Sequence, residues 1–132
     1  MDIVVDASAI IAVITNEACK QAIVRQTQGA DLIAPPSLHW EIGNAFSAMF
    51  KRRRLTIQDA RKALRAYRQI PIRFSDIELE DAVELSAELD VYAYDAYLIV
   101  CALRHQCKLL TLDTGLAEAA AKAGVSVVEI GS

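Results

Sequence analysis

The chain has 132 residues, 54% of them hydrophobic, with three cysteines and a net charge of −3. A chain of this length buries roughly two thirds of its unfolded surface, so it is expected to fold as one domain over 1–132 without disulfides or a structural metal. The composition excludes a general polyanion binder, and no run reaches the ~20 apolar residues of a membrane span.

In chain order, Ile3 to Val5 is a β-branched run closed by Asp6, the pattern of a short buried strand. Helices follow over Ala7 to Ile14 and about Glu17 to Thr27. "GADLIAPP" gives a turn, a strand around Leu32 to Ala34 and a proline stop. Ser37 is placed to cap a helix running to about Arg53, whose apolar face is Leu38, Ile42, Ala45, Phe46, Met49 and Phe50, at helical spacing. Thr56 caps a basic helix over about Ile57 to Gln69. Pro71 breaks the pattern and "IRF" reads as a strand. Asp76 or Ile77 opens a helix to Leu89. Tyr94 to His105 is a helix, Lys108 to Leu112 a strand, and Leu116 to Lys122 a helix ended by Gly124, a common stop signal. Val125 to Ile130 is the last strand. Strands that are continuous apolar runs alternate with helices, so an α/β fold with a parallel sheet covered on both faces is expected.

The short run "AIIAVI" near the N-terminus follows Asp2 and Asp6 rather than Lys or Arg, the wrong charge for a signal peptide. Cys19, Cys101 and Cys107 lack CxxC spacing, and Cys101 sits in an apolar run. A reduced, cytoplasmic protein is the simplest expectation.

Four acids stand out. Asp6 and Asp113 close strands, Asp95 begins a helix inside "VYAYDAYLIV", and Glu41 interrupts the apolar face of its own helix. Functional groups of open α/β sheets collect beyond the carboxyl ends of the strands, where strand order reverses. Each aspartate also has a plain role as a helix N-cap. Glu41 lies past any capping position, and a buried carboxylate requires a partner. That partner is either one of the arginines or a cation shared with the other acids. Carboxylates without His or Cys select hard ions such as Mg²⁺ or Mn²⁺. His39 and His105 belong to no motif and read as packing or surface residues. There is no phosphate-binding glycine motif.

"VVDASAII", "WEIGNAF", "YDAYLIVCA" and "LLTLDTGLAEAAAKAGV", in this order, resemble the PIN-domain family. The short length is similar to the VapC-type toxins of toxin–antitoxin operons. The resemblance implies a three-layer α/β/α sandwich with a central parallel sheet and a Mg²⁺- or Mn²⁺-dependent ribonuclease. It implies catalytic carboxylates at Asp6, Glu41, Asp95 and Asp113, with Asp6, Asp95 and Asp113 as metal ligands. Ser8, Asn44 and Thr111 would be supporting polar groups; Asp90 is not required by the pattern and reads as a helix-end or surface acid. It further implies an RNA substrate, a small antitoxin partner and a homodimer. Arg52, Arg53, Arg54, Arg61 and Arg65, with Lys62 and Arg68, form a basic stretch that either grips phosphates or is a solvated helix face. Tyr92, Tyr94 and Tyr97 would stack on bases or, for most of them, pack in the core or at a dimer interface. Two rivals remain: another Mg²⁺ enzyme on a doubly wound sheet, such as a phosphatase or receiver domain, and a non-catalytic RNA-binding module. A phosphatase of the haloacid-dehalogenase type would need an aspartate where this chain has Ser8.

Overall fold

The computed structural model describes residues 1–130; the last two positions of the expected 1–132 domain lie outside the described residues. Four strands, β1 (Asp2–Val5), β2 (Asp31–Ala34), β3 (Ile72–Phe74) and β4 (Lys108–Leu110), form one sheet in the order β3-β2-β1-β4. All three pairings are parallel. Strand order therefore reverses at β1, between its neighbours β2 and β4. The central strand β1 is the most buried, and β3 at the edge is largely exposed.

Successive residues of a strand face opposite ways, and this divides the core. Ile3 and Val5 point into a cluster with Ile10, Leu38, Ile42, Phe46 and Tyr67. These come from α1 (Ala7–Ile14), α3 (Ser37–Lys51) and α4 (Ile57–Gln69), with α2 (Lys20–Thr27) beside them. Val4 and Ile33 point the other way, to Leu98, Ile99, Leu116 and Ala120. These belong to α6 (Ala93–His105) and α7 (Thr114–Lys122), and α5 (Leu79–Leu89) packs against α6. The result is the expected three-layer α/β/α arrangement.

Several boundaries differ from the sequence expectation, each for a local reason. Asn16 adopts φ 58°, a left-handed conformation that asparagine tolerates, so α2 starts at Lys20 rather than Glu17. Ser37 is not a cap: Pro36 holds that position, and the buried Ser37 hydroxyl has no hydrogen-bond partner. Arg53 also takes a positive φ, and the Arg54 amide returns to the Met49 carbonyl at 2.9 Å, so α3 stops at Lys51. Thr56 does cap α4, its side chain accepting from the Asp59 amide at 3.1 Å.

α5 begins at Leu79, later than Asp76 or Ile77, and the Asp76 carbonyl accepts from Arg104 instead. Asp90 ends α5 in the left-handed region, a helix-end role. β4 stops at Leu110 because the next amides turn to side chains: Leu112 N–H donates to Ser8 Oγ at 2.9 Å and Asp113 N–H to Thr111 Oγ1 at 3.0 Å. The strand expected over Val125 to Ile130 is reduced to a single bridge, Leu109 to Val127. No described helix is long and apolar enough to cross a membrane.

Candidate active site

Asp6 sits one residue past β1 and Asp113 follows β4, so the two flank the point where strand order reverses. Asp6 is 5% exposed. Its Oδ1 accepts from the Ala9 amide at 3.0 Å, which makes it the N-cap of α1. Ser8 Oγ lies 2.7 and 2.8 Å from its two carboxylate oxygens, and Thr111 Oγ1 donates to Oδ2. Ser8 and Thr111 thus join the ends of β1 and β4 through one buried carboxylate. Asp113 caps α7, its Oδ1 accepting from the amides of Gly115 and Leu116 at 2.9 and 3.2 Å. Capping is real for these two aspartates, and it orients them rather than replacing a chemical role.

Capping does not account for Asp95. The N-cap of α6 is Tyr92, and Asp95 is the third helical residue, half-buried, with its amide on the Tyr92 carbonyl. Nor does an ion pair account for Glu41. Its Oε2 is buried without a hydrogen-bond partner. The single salt bridge among the described residues, Arg73–Asp2, involves none of the four acids.

Burial and a neighbouring acid's charge raise three of the four acids. Burial raises the Glu41 carboxyl to about 7, helped by the negative charges of Asp6 and Asp95. Burial also raises Asp95, reinforced by Asp113 and Asp6. Asp6 is raised by burial, opposed by its hydrogen bonds from Thr111, Ala9 and Ser8, and pushed further by Asp113. Elevation of a carboxyl by a neighbouring acid is what carboxylates facing one space show.

The donor set is oxygen only, carries excess negative charge and includes an unsatisfied oxygen, which fits a hard divalent cation. Among the described residues, no three His, Cys, Asp or Glu side chains are already arranged as a ready-made metal set. The chemistry of the donors therefore fits an ion, while their present rotamers do not form a closed cage.

Residues 3–122 match the family model described as the PIN domain. The chain belongs to the PIN-domain family. PIN domains are in general nucleases, and thus hydrolases. The solved structure of PAE2754 from Pyrobaculum aerophilum is similar in fold to this PIN domain, with a TM-score of 0.70 at 18% identity over 90% of this chain and 79% of that one. No curated protein sequence matches the chain.

The remaining expected residues of this PIN domain are less engaged. Asn44 is exposed, and its backbone carbonyl accepts from Ser47 Oγ at 2.7 Å; its side chain makes no hydrogen bond among the described residues. Arg52, Arg53, Arg54, Arg61 and Arg65 are all exposed. Of the three tyrosines expected mostly to pack, only Tyr97 joins a core cluster, while Tyr92 and Tyr94 are 86% and 55% exposed. Sequence pattern passes over Trp40, which stands one residue before Glu41 and is 72% exposed. Its signal is an aromatic residue at a polar helix start.

Thr111→Val tests the link between the strands. Removing a hydroxyl that donates to a buried carboxylate should cost about 1–3 kcal/mol of stability at neutral pH. Because Thr111 lowers the Asp6 pKa, the loss should shrink as pH falls and Asp6 becomes neutral. Urea melts at pH 7 and at pH 4 measure it.

Proposed function

We propose that the chain is a metal-dependent endoribonuclease that hydrolyses RNA phosphodiester bonds and serves as the toxin of a VapBC-type toxin–antitoxin pair. The observation that carries the reading is a pair of aspartates, Asp6 and Asp113, after β1 and β4, with the charges of Asp6 and Asp95 bearing on a Glu41 whose buried oxygen has no partner and no paired cation among the described residues. Mg²⁺ or Mn²⁺, when bound, would orient the phosphodiester, stabilise its developing charge and lower the pKa of the attacking water.

Asp6, Asp95 and Asp113 are the residues that would hold the ion, and Ser8 and Thr111 keep Asp6 in place. Glu41, elevated to about 7, is suited to take a proton from water at neutral pH. The basic stretch from Arg52 to Arg68 offers phosphate contacts that weaken with salt. An antitoxin segment lying across the cleft, with a basic side chain among the acids, would block the site, and a homodimer is the expected assembly. The toxin role is the finer part of this proposal; a PIN nuclease outside toxin–antitoxin systems, or a non-catalytic RNA-binding module, is the competing reading.

The test is to map cleavage sites in total RNA after brief induction, with Asp6→Asn as control. Discrete new ends that require Mg²⁺ or Mn²⁺ support the nuclease, and growth arrest relieved by the product of an adjacent gene supports the toxin role. RNA binding without cleavage in either metal would favour the binding module. Hydrolysis of a generic phosphomonoester would favour the phosphatase rival.

A further inference from the structure

The charges of this chain are divided between two neighbouring stretches. Within positions 51–68 every charged residue except Asp59 is Lys or Arg, and positions 76–90 hold acids with no Lys or Arg. Folding places the two in different layers. α4 packs into the core cluster of α1 and α3, and α5 packs against α6 in the other layer. Neither stretch is neutralised by ion pairs to the rest of the molecule, because Arg73–Asp2 is the single salt bridge among the described residues.

An open groove of about 570 Å³ runs between α5 and α6. Its floor is apolar, formed by Leu85, Val100 and Leu103, the last of them 43% exposed. Glu78, Asp81, Glu84 and Glu88 stand along it. Arg104 also lines it, with its guanidinium donating to the Asp76 carbonyl at 3.1 Å. Asp81, Glu84 and Glu88 recur at i, i+3 and i+7 of α5, the spacing of one helix face. On α4, Arg61, Arg65 and Arg68 are exposed at i, i+4 and i+7, with the exposed Ile57 one turn earlier. Each stripe covers ~10.5 Å of helix. Set antiparallel, the intervals coincide: Arg68 falls against Asp81, Arg65 against Glu84 and Arg61 against Glu88. The two stripes also match in polarity. Arginine stems are apolar beneath their charge, so with Ile57 they offer apolar surface to the floor and cations to the acids. An acid-lined groove repels the phosphates of RNA.

We propose that the α5–α6 groove is a docking surface for a second copy of this chain, which lays its α4 stripe along it. The helices belong to opposite layers, so the two stripes cannot meet within one molecule, and the contact between copies is heterologous. The basic face of one copy meets the acidic groove of the next. Exposed ion pairs are individually weak; three in register over a covered apolar floor act together and loosen as salt rises. Arg52, Arg53 and Arg54 lie outside the stripe and stay open to phosphate. Nothing in this contact depends on the nuclease reading.

Charge reversal on each side tests it: Glu84→Lys with Glu88→Lys in the groove, and Arg61→Glu with Arg65→Glu on the stripe. All four side chains are exposed, so both double variants should melt like the wild type. Sedimentation velocity at low and high salt, with and without prior ribonuclease digestion, reads the assembly. The wild type should sediment above the mass of one copy at low salt and approach that mass at high salt. Each double variant should self-associate at least about tenfold more weakly. An equal mixture of the two should assemble again, because the lysine groove of one accepts the glutamate stripe of the other. Glu118→Lys, an exposed reversal on α7, should leave assembly unchanged. A wild type that stays a single copy at low salt would overturn the proposal and leave the groove to a basic segment of another protein. An assembly that survives both reversals, or that disappears on ribonuclease digestion, would overturn it as well. If the mixture reassembles while the wild type cleaves no RNA, the docking surface stands and the nuclease reading falls.

Discussion

Asp6→Asn is expected to lower RNA cleavage by roughly 10²–10³-fold or more, the loss typical of removing one preorganised electrostatic group from a site. The protein should remain folded. The amide preserves the shape of the carboxylate, and its oxygen can keep the α1 cap on the Ala9 amide. Its nitrogen would face Ser8 or Thr111, both hydroxyls already accepting one backbone amide and each with a lone pair to spare. Burial makes the charge on Asp6 costly, so neutralising it should leave the melting temperature unchanged or slightly higher. Cleavage rate and thermal melt on the same preparation separate the two effects. An inactive but unfolded variant would mean that Asp6 is needed mainly for the strand junction, and a folded, fully active one would remove it from the mechanism.

Glu41→Gln should stabilise the protein at pH 8 and leave it unchanged near pH 4. The Glu41 carboxyl is raised from 4.5 to about 7 in the fold, so between these values the folded state binds more protons than the unfolded chain. Stability from this group therefore falls as pH rises through that window. The full shift would correspond to at most about 3 kcal/mol, and solvent access at this half-buried position reduces it to about 1 kcal/mol. For a chain of this length that is about 3–5 °C in melting temperature. Mg²⁺ or Mn²⁺ should raise the wild-type melting temperature more at pH 8 than at pH 5, where the acids are partly protonated, and should raise Glu41→Gln less. A metal effect independent of pH and of Glu41 would separate the ion from this cluster.

The burial of Glu41 was already written in the sequence, because an acid at that point of α3 lies beside Leu38, Ile42 and Phe46, all nearly fully buried. Helical periodicity fixes this without reference to any partner. The alternation of apolar strands and helices likewise determined a covered parallel sheet. Local pattern could not decide what Glu41 faces, because that depends on strand order. Only β1 lying between β2 and β4 brings the ends of β1 and β4 together, more than one hundred residues apart in sequence for Asp6 and Thr111.

Asp95 shows the same division. Its neighbours predict a buried helix, and the sequence left capping open as its role. The tertiary structure gave the cap position to Tyr92 and turned the following residues into an aromatic and an acidic group at one helix start. Strand ends were also beyond local reading: β4 closes two residues early because Ser8, from a distant segment, captures the Leu112 amide while Thr111 takes that of Asp113. Hydrophobic periodicity is a local property and determines which face of each element is buried. The charge that Asp6 places on Glu41 and Asp95 depends on how those elements are stacked, which only the folded chain decides.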